Sequence, residues 1–304
     1  MTVAVRHDAL FKNLIKTFLP DLLHLVLPEL IPDLQLSTLS WIDKESFVDP
    51  LQGRHVVFDL LARIRHVQPI PRALLVHVEI EAQFRTAMDA RMHAYYHHLR
   101  LRHQQPTLCI VLYLRGGPPG VHSRNPRDTV GKVELYSFHY WTFSLARCTA
   151  EDYLHRPQPL AWALAALMRP RMLSRLQLRI ECLRKIARCN LDKARQALLV
   201  NVVVTYLRLS ADEEEAYMEL LQHEVNTEVK DLELTWFDQI EAKGHQRGLV
   251  DGTRAVLRMQ LAEKFGPLPR LAERRLEAME DLDLLHQLSR RLLHASSLTE
   301  LGLS

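Results

Sequence analysis

From Val76 to Gln83 polar and apolar residues alternate without a break, within the stretch Leu74 to Gln83 that reads LLVHVEIEAQ. A period of two belongs to an extended strand, which puts Val76, Val78, Ile80 and Ala82 on one face and His77, Glu79, Glu81 and Gln83 on the other. A strand this apolar belongs in a core. An unpaired buried carboxylate is too costly to keep, so the second face is expected either to line a solvated cleft or to bind something positive. That cleft is where function is expected.

The patterns around this strand predict a compact α/β core. Residues 6 to 27 read as a helix, with Leu10, Phe11, Leu14, Ile15, Phe18, Leu22 and Leu25 spaced by three and four, and with Pro20 as a kink. Strand-like runs follow at Leu36 to Phe47, Arg54 to Ile64 and Ala73 to Gln83, then a helix from Phe84 to His103. Thr107 to Leu114, TLCIVLYL, is an apolar run of the kind covered on both faces. Gly116 to Gly120 is a loop, and a last strand is expected near Val133 to His139. The order is therefore helix, three strands, helix, two strands. Past residue 150 only helical periods continue, which divides the chain into a core of 1–150, a helical region of 151–240 and a small helical domain of 241–304. Three glycines between Gly244 and Gly252 mark the last boundary. Helices are expected at Leu249 to Phe265, closed by Gly266 and Pro267, and at Leu271 to Met279 and Leu282 to Leu293.

Composition narrows the class of protein. At 304 residues, 47% hydrophobic and 25% charged, the chain reads as a soluble globular protein. Its longest apolar runs fall short of the roughly 20 residues that cross a bilayer. No signal peptide is read at the N-terminus, so a cytoplasmic location without membrane contact is expected. Cys109, Cys148, Cys182 and Cys189 lack CxxC spacing and read as buried reduced thiols. From Arg169 to Arg195 basic residues dominate, and from Ala211 to Glu241 acidic ones do. The two segments could pair with each other, or the basic one could face phosphates.

Asp59, in VVFDLLARI, is an isolated carboxylate in an apolar setting. If its strand pairs with Val76 to Gln83 as a hairpin, Asp59 comes to lie beside Glu79, and two close carboxylates raise each other's pKa unless a cation stands between them. Hard oxygen ligands on a rigid sheet suit Mg²⁺ or Mn²⁺, and such an ion serves phosphodiester hydrolysis.

An Asp on the second strand followed about twenty residues later by Glu-x-Gln or Glu-x-Lys on the third, after a leading helix, resembles the PD-(D/E)XK nuclease superfamily. Within it the chain is most similar to the Rpn recombination-promoting nucleases, also described as YhgA-like transposases. The similarity is carried by HDALFK (His7 to Lys12), WIDKESF (Trp41 to Phe47), FDLLARI (Phe58 to Ile64), LLVHVEIEAQ, PLAWALAALMRPR (Pro159 to Arg171) and LLVNVVVTYL (Leu198 to Leu207). FGPLP (Phe265 to Pro269) and LLHASSLTEL (Leu292 to Leu301) look like the helical domain of unknown function often appended to such proteins. The resemblance implies a restriction-endonuclease-like mixed sheet, and a metal-dependent DNA endonuclease linked to recombination or mobile elements. It makes Asp59 and Glu79 metal ligands, with Asp8 as a further acid. The position normally Gln or Lys is Glu81 here; taking Glu81 as ligand and Gln83 as partner restores the motif, and both registers stay open. Asp59, Glu79, Glu81 and Gln83 form the expected catalytic set, and a site that has lost activity is the alternative.

Each residue also has a plainer reading. Asp59 could pair with Arg63 or Arg65, and Asp8 could sit at a helix N-terminus, where a carboxylate stabilises the macrodipole. Lys12 reads as solvated, ion-paired or phosphate-binding. Asp43, Lys44 and Glu45 could form a strand-end ion pair. In the helix after the strand, Arg85 and Arg91 are expected to hold a DNA backbone, while His93 and His97 on neighbouring turns have a spacing that a metal could use. DNA is the expected partner, no small-molecule cofactor is expected, and the chain could form a homo-oligomer. A DNA-binding or self-assembling protein without activity is the rival reading.

Overall fold

The computed structural model describes residues 3–42, 46–48, 55–67, 72–222, 227–292 and 295–303, without the side chains of 3–8, 46–48, 55–57 and 237–247. Two helices lead, α1 (Val3–Thr17) and α2 (Leu19–Val26). Phe11, Leu14, Ile15, Phe18, Leu22 and Leu23 are buried at the spacing that predicted one helix. Pro20 divides it. With no N–H to donate and a ring that crowds the preceding turn, proline is accepted only in a first turn, and it stands there in α2.

A 3₁₀ turn (Pro28–Asp33) leads into β1 (Leu34–Trp41), followed by β2 (Ser46–Val48), β3 (His55–Val57), β4 (Leu60–His66) and β5 (Arg72–Glu81). Helix α3 (Met88–His103) then returns the chain to β6 (Thr107–Tyr113), and β7 (Gly120–Arg124), β8 (Arg127–Val130), β9 (Val133–Ser137) and β10 (Tyr140–Ser144) complete the strands. The main sheet has six strands in the order β1-β4-β5-β6-β10-β7. It is mixed: β4 is antiparallel to β1 and β5, β6 is parallel to β5 and β10, and β7 is antiparallel to β10. The apolar run of β6 lies between parallel neighbours and is buried on both faces, as its composition predicts.

Two strand expectations are corrected. The run expected from Arg54 to Ile64 breaks at Phe58 and Asp59, so that β3 pairs with β2 in a small sheet of its own while β4 joins the main one. The strand expected at Val133 to His139 is β9, which pairs with β8 in a separate two-stranded sheet and leaves Val133 and Leu135 exposed. The strand beside β6 is β10, whose Tyr140, Thr142, Phe143 and Ser144 are buried. Alternation marks a strand but not the sheet it joins.

On one face of the sheet α3 lays Met88, Met92, Tyr95 and Leu99 over Leu61, Leu75, Cys109, Val111 and Tyr113. The opposite face buries Ala62, Ile64, Val76, Val78, Ile110 and Leu112, and α1 lies against β5. From residue 150 to 265 the described elements are all helices: α4 (Ala150–Leu154), α5 (Pro159–Ala165), α6 (Arg175–Arg188), α7 (Lys193–Tyr206), α8 (Ala211–Leu221) and α9 (Thr227–Phe265). The basic α6 and the acidic segment after it pair within the chain. Arg179, almost fully buried, meets Glu214 at 2.9 Å and Glu233 at 3.3 Å, and Arg188 meets Glu228 at 2.8 Å.

Compactness divides the chain once, into Met1–Glu233 and Leu234–Ser304, so the helices from 151 to 233 belong with the sheet. The second unit has its own core, in which Leu257 and Leu261 meet Leu276 of α10 (Arg270–Ala278) and Leu285 and Leu288 of α11 (Leu282–Leu292). The glycines from Gly244 to Gly252 were expected to end one element and start another, yet α9 runs through them. A helical glycine costs about 1 kcal/mol against alanine, which lowers helix propensity there without forbidding the helix. Gly266, at φ +80°, ends α9 where expected. The cysteines are reduced, with Cys109, Cys148 and Cys182 buried. Among the described residues no helix is long and apolar enough to cross a membrane.

Candidate functional site

The register of β4 on β5 sets Leu60 opposite Val78 and Leu61 opposite His77. One step further along, Asp59 comes beside Glu79. Each carboxylate grips the other strand: the Asp59 backbone N–H donates to Glu79 Oε1 at 3.2 Å, and the Ile80 N–H donates to Asp59 Oδ2 at 3.0 Å. From α1, Lys12 places its Nζ 2.8 Å from Asp59 Oδ1. Burial, and next the charge of Glu79, push the Asp59 carboxyl above its ordinary value, outweighing the pull of Lys12 and the Ile80 amide.

The predicted polar face of β5 is present, but it does not open onto a cleft at Glu79. His77 and Glu79 are both 0% exposed and Glu81 only 8%. What they bind is positive, the second of the two outcomes the alternation allowed. The Arg91 guanidinium bridges the strand, donating from one nitrogen to Glu79 Oε2 at 2.6 Å and from the other to Glu81 Oε1, while its Nε donates to the Tyr95 hydroxyl at 2.7 Å. His77 Nε2 lies 2.9 Å from Glu79 Oε1, and its ring sits edge-on to Phe58 and Tyr95. Arg85 approaches Glu81 Oε2 at 3.5 Å. Burial works against the charge of Arg91, but Glu79, Tyr95 and Glu81 more than offset it and hold its pKa above the ordinary arginine value. Burial and the Glu79 carboxylate push the Tyr95 phenol up to about 12, so it is neutral at physiological pH.

The arrangement separates the predicted residues into those that meet and those that do not. Asp59, Glu79, Glu81, Lys12, Arg85 and Arg91 converge at the C-terminal end of β5. Gln83 does not: β5 ends at Glu81, and Gln83 is exposed beyond it, so the register pairing Glu81 with Gln83 on one strand face is not built. Asp8 belongs to α1, but its side chain, like Asp43, Lys44 and Glu45, lies outside the described residues. Asp59 pairs with Lys12 rather than with Arg63 or Arg65. Sequence reasoning missed the bridging role of Arg91 and a neighbouring cluster in which Asp89 accepts from Arg124 at 2.8 Å and from the Tyr140 hydroxyl. Asp89 carried a signal, since it is an acid in the first turn of α3.

The oxygens of Asp59, Glu79 and Glu81 are hard donors of the type Mg²⁺ and Mn²⁺ take, and Mg²⁺ commonly uses only one or two protein carboxylates. Each of these oxygens already faces a nitrogen donor, so a cation would take over positions now filled by Lys12 and Arg91. Among the described residues no group of three or more His, Cys, Asp or Glu side chains is arranged to hold an ion. No family model matches the chain, and no curated protein or solved structure matches it.

Proposed function

We propose that the chain is a divalent-metal-dependent DNA endonuclease whose core is of the restriction-endonuclease type. One observation carries the reading: the β4/β5 register sets Asp59 beside Glu79, close enough for the charge of one to raise the pKa of the other, at the end of a central strand next to arginine and lysine side chains. The order of leading helix, antiparallel strands, helix and parallel strand is consistent with it.

In this reading Asp59 and Glu79 would hold Mg²⁺ or Mn²⁺, and such an ion, when bound, would lower the pKa of a water and offset negative charge on the phosphodiester. The protein groups do the positioning. Side chains of Lys12, Arg91 and Arg85 are 33%, 38% and 68% exposed, so each reaches solvent from the carboxylate it pairs with and can exchange that partner for a phosphate oxygen. Glu81, where the similar families carry Gln or Lys, adds a negative charge that Arg91 offsets. A role in recombination or mobile-element biology is the wider context this reading suggests.

The test is plasmid nicking by the purified full chain with Mg²⁺ or Mn²⁺. Cleavage is expected to vanish with EDTA and in Asp59→Asn and Glu79→Gln, with circular dichroism showing both variants folded. Cleavage indifferent to EDTA or to both substitutions refutes the mechanism. A second reading, the same fold gripping DNA without cutting it, is favoured by the nitrogen donors that already cover the carboxylate oxygens. It predicts no cleavage with either metal and a DNA affinity that falls steeply with salt.

A further inference from the structure

We propose that His93 and His97 form a solvent-open chelate for one borderline transition-metal ion, of the class Zn²⁺, Ni²⁺ or Cu²⁺, separate from the carboxylate cluster. The two residues are one turn apart on α3, their Nε2 atoms share a hydrogen bond at 2.8 Å, and the rings are nearly perpendicular at 88°. Two imidazole nitrogens each about 2.0–2.1 Å from one tetrahedral Zn²⁺ stand about 3.3–3.4 Å from each other, and about 2.9 Å at the right angle of a square-planar Cu²⁺ or Ni²⁺ site. An ion taking the place of the shared proton would need the nitrogens to part by about half an ångström for Zn²⁺ and by about 0.1 Å for Cu²⁺ or Ni²⁺.

The surroundings favour that use. Tyr136, on β9, packs edge-on to His93 with ring centroids 4.7 Å apart, Tyr96 lies 5.7 Å from His97, and Phe138 lies 6.0 Å from His93. Rings that hold both imidazoles in place lower the ordering cost of binding. His97 is exposed, so water can complete the coordination shell. Imidazole nitrogen suits Zn²⁺, Ni²⁺ and Cu²⁺ and not Mg²⁺, and the usual order of divalent affinities makes Cu²⁺ the tightest. This site does not depend on the endonuclease reading.

The experiment is calorimetric titration of the EDTA-stripped full chain with CuCl₂, NiCl₂, ZnCl₂ and MgCl₂. One bound transition-metal ion per chain is expected to be lost in the double variant His93→Asn/His97→Asn, Cu²⁺ being the tightest, while Mg²⁺ binding is expected not to depend on these two residues. His93→Asn and His97→Asn are each expected to weaken binding by at least about tenfold, the loss already typical when only a supporting partner of a ligand is removed. His286→Asn, an exposed histidine of α11 outside both clusters, is expected to leave it unchanged. Histidine ¹⁵N resonances of the unaltered chain give a readout free of mutation, with two imidazoles shifting on Zn²⁺ addition. Absence of binding, unchanged affinity in the double variant, or Zn²⁺-induced shifts confined to other histidines would overturn the proposal.

Discussion

Arg91 is the residue on which the buried charge of β5 depends. Without it, Glu79 would keep only His77 and one backbone amide, and breaking a buried ion pair typically costs about 3–5 kcal/mol. Arg91→Met is expected to lower the unfolding free energy by about 3 kcal/mol in a urea titration at neutral pH. Arg85→Met, which removes the exposed partner of Glu81, should change it by less than about 1 kcal/mol. Equal effects would show that Arg91 does not carry the buried charge. Asp59 has the opposite character. Burial and Glu79 set its folded pKa above the unfolded 3.8, so folding disfavours the ionised form. Its charge opposes stability at neutral pH, and the opposition fades as pH falls through the folded value. Asp59→Asn should therefore unfold at a higher urea concentration than the original chain at pH 7, with the difference closing as pH approaches 3.8. A variant less stable at pH 7 would contradict this. The carboxylates were legible because a strand alternates its side chains by backbone geometry alone. Their partners were not, because Lys12 and Arg91 arrive from helices whose docking on the strand leaves no local periodicity.

Elements show a similar division between local and distant causes. Gly266 and the apolar run of β6 act within a turn or a strand of themselves and did what the sequence predicts, whereas Pro20, expected to kink one helix, divides it into two. The split of the Asp59 strand and the pairing of β10 with β6 depend on which partner offers the better cover, which is decided across the fold. Glu151 on α4 shows how such distant ties work. Its carboxylate accepts the backbone N–H groups of Arg171, Met172 and Leu173 at 2.8 to 3.1 Å. Burial pushes its pKa up, but these backbone donors prevail and hold it down at about 2, against an ordinary 4.5. A folded value below the unfolded one contributes stability that is fully present above pH 4.5 and lost as pH falls toward about 2. Glu151→Gln should thus be less stable than the original chain at pH 6, with the two converging near pH 2 in tryptophan-monitored unfolding; a gap that is the same at both pH values would rule the tie out. The loop after β6 is bound by shape instead. Gly117 has φ +81°, and a Cβ there would lie 2.7 Å from Ser144 Oγ and 2.8 Å from Phe84 Cδ2. Gly117→Ala is expected to lower stability by at least about 1–2 kcal/mol, the penalty of the left-handed conformation alone.

At the scale of the molecule, the division at Glu233 falls close to the boundary at 241 that the glycines of α9 suggested, and it carries a claim about cooperativity. The first unit buries a sheet between helices, whereas the second rests on a short list of leucines and alanines from α9, α10, α11 and the segment after them. A helical unit of this size has a stability of only about 3–5 kcal/mol from its core. Leu261 is 0% exposed at the centre of that list, and truncating such a leucine to alanine removes about 2–5 kcal/mol through lost transfer energy and the cavity left behind. The two magnitudes overlap, so Leu261→Ala should leave Leu234–Ser304 largely unfolded at 25 °C while Met1–Glu233 keeps its structure. Calorimetry of the original chain should resolve two transitions, and the variant should lose one of them together with part of its helical circular dichroism. Amide exchange should then quicken along residues 250–303 and stay slow in β5 and β6. A single transition shifted as a whole would mean that the two cores unfold together, and the compact division would have no thermodynamic counterpart.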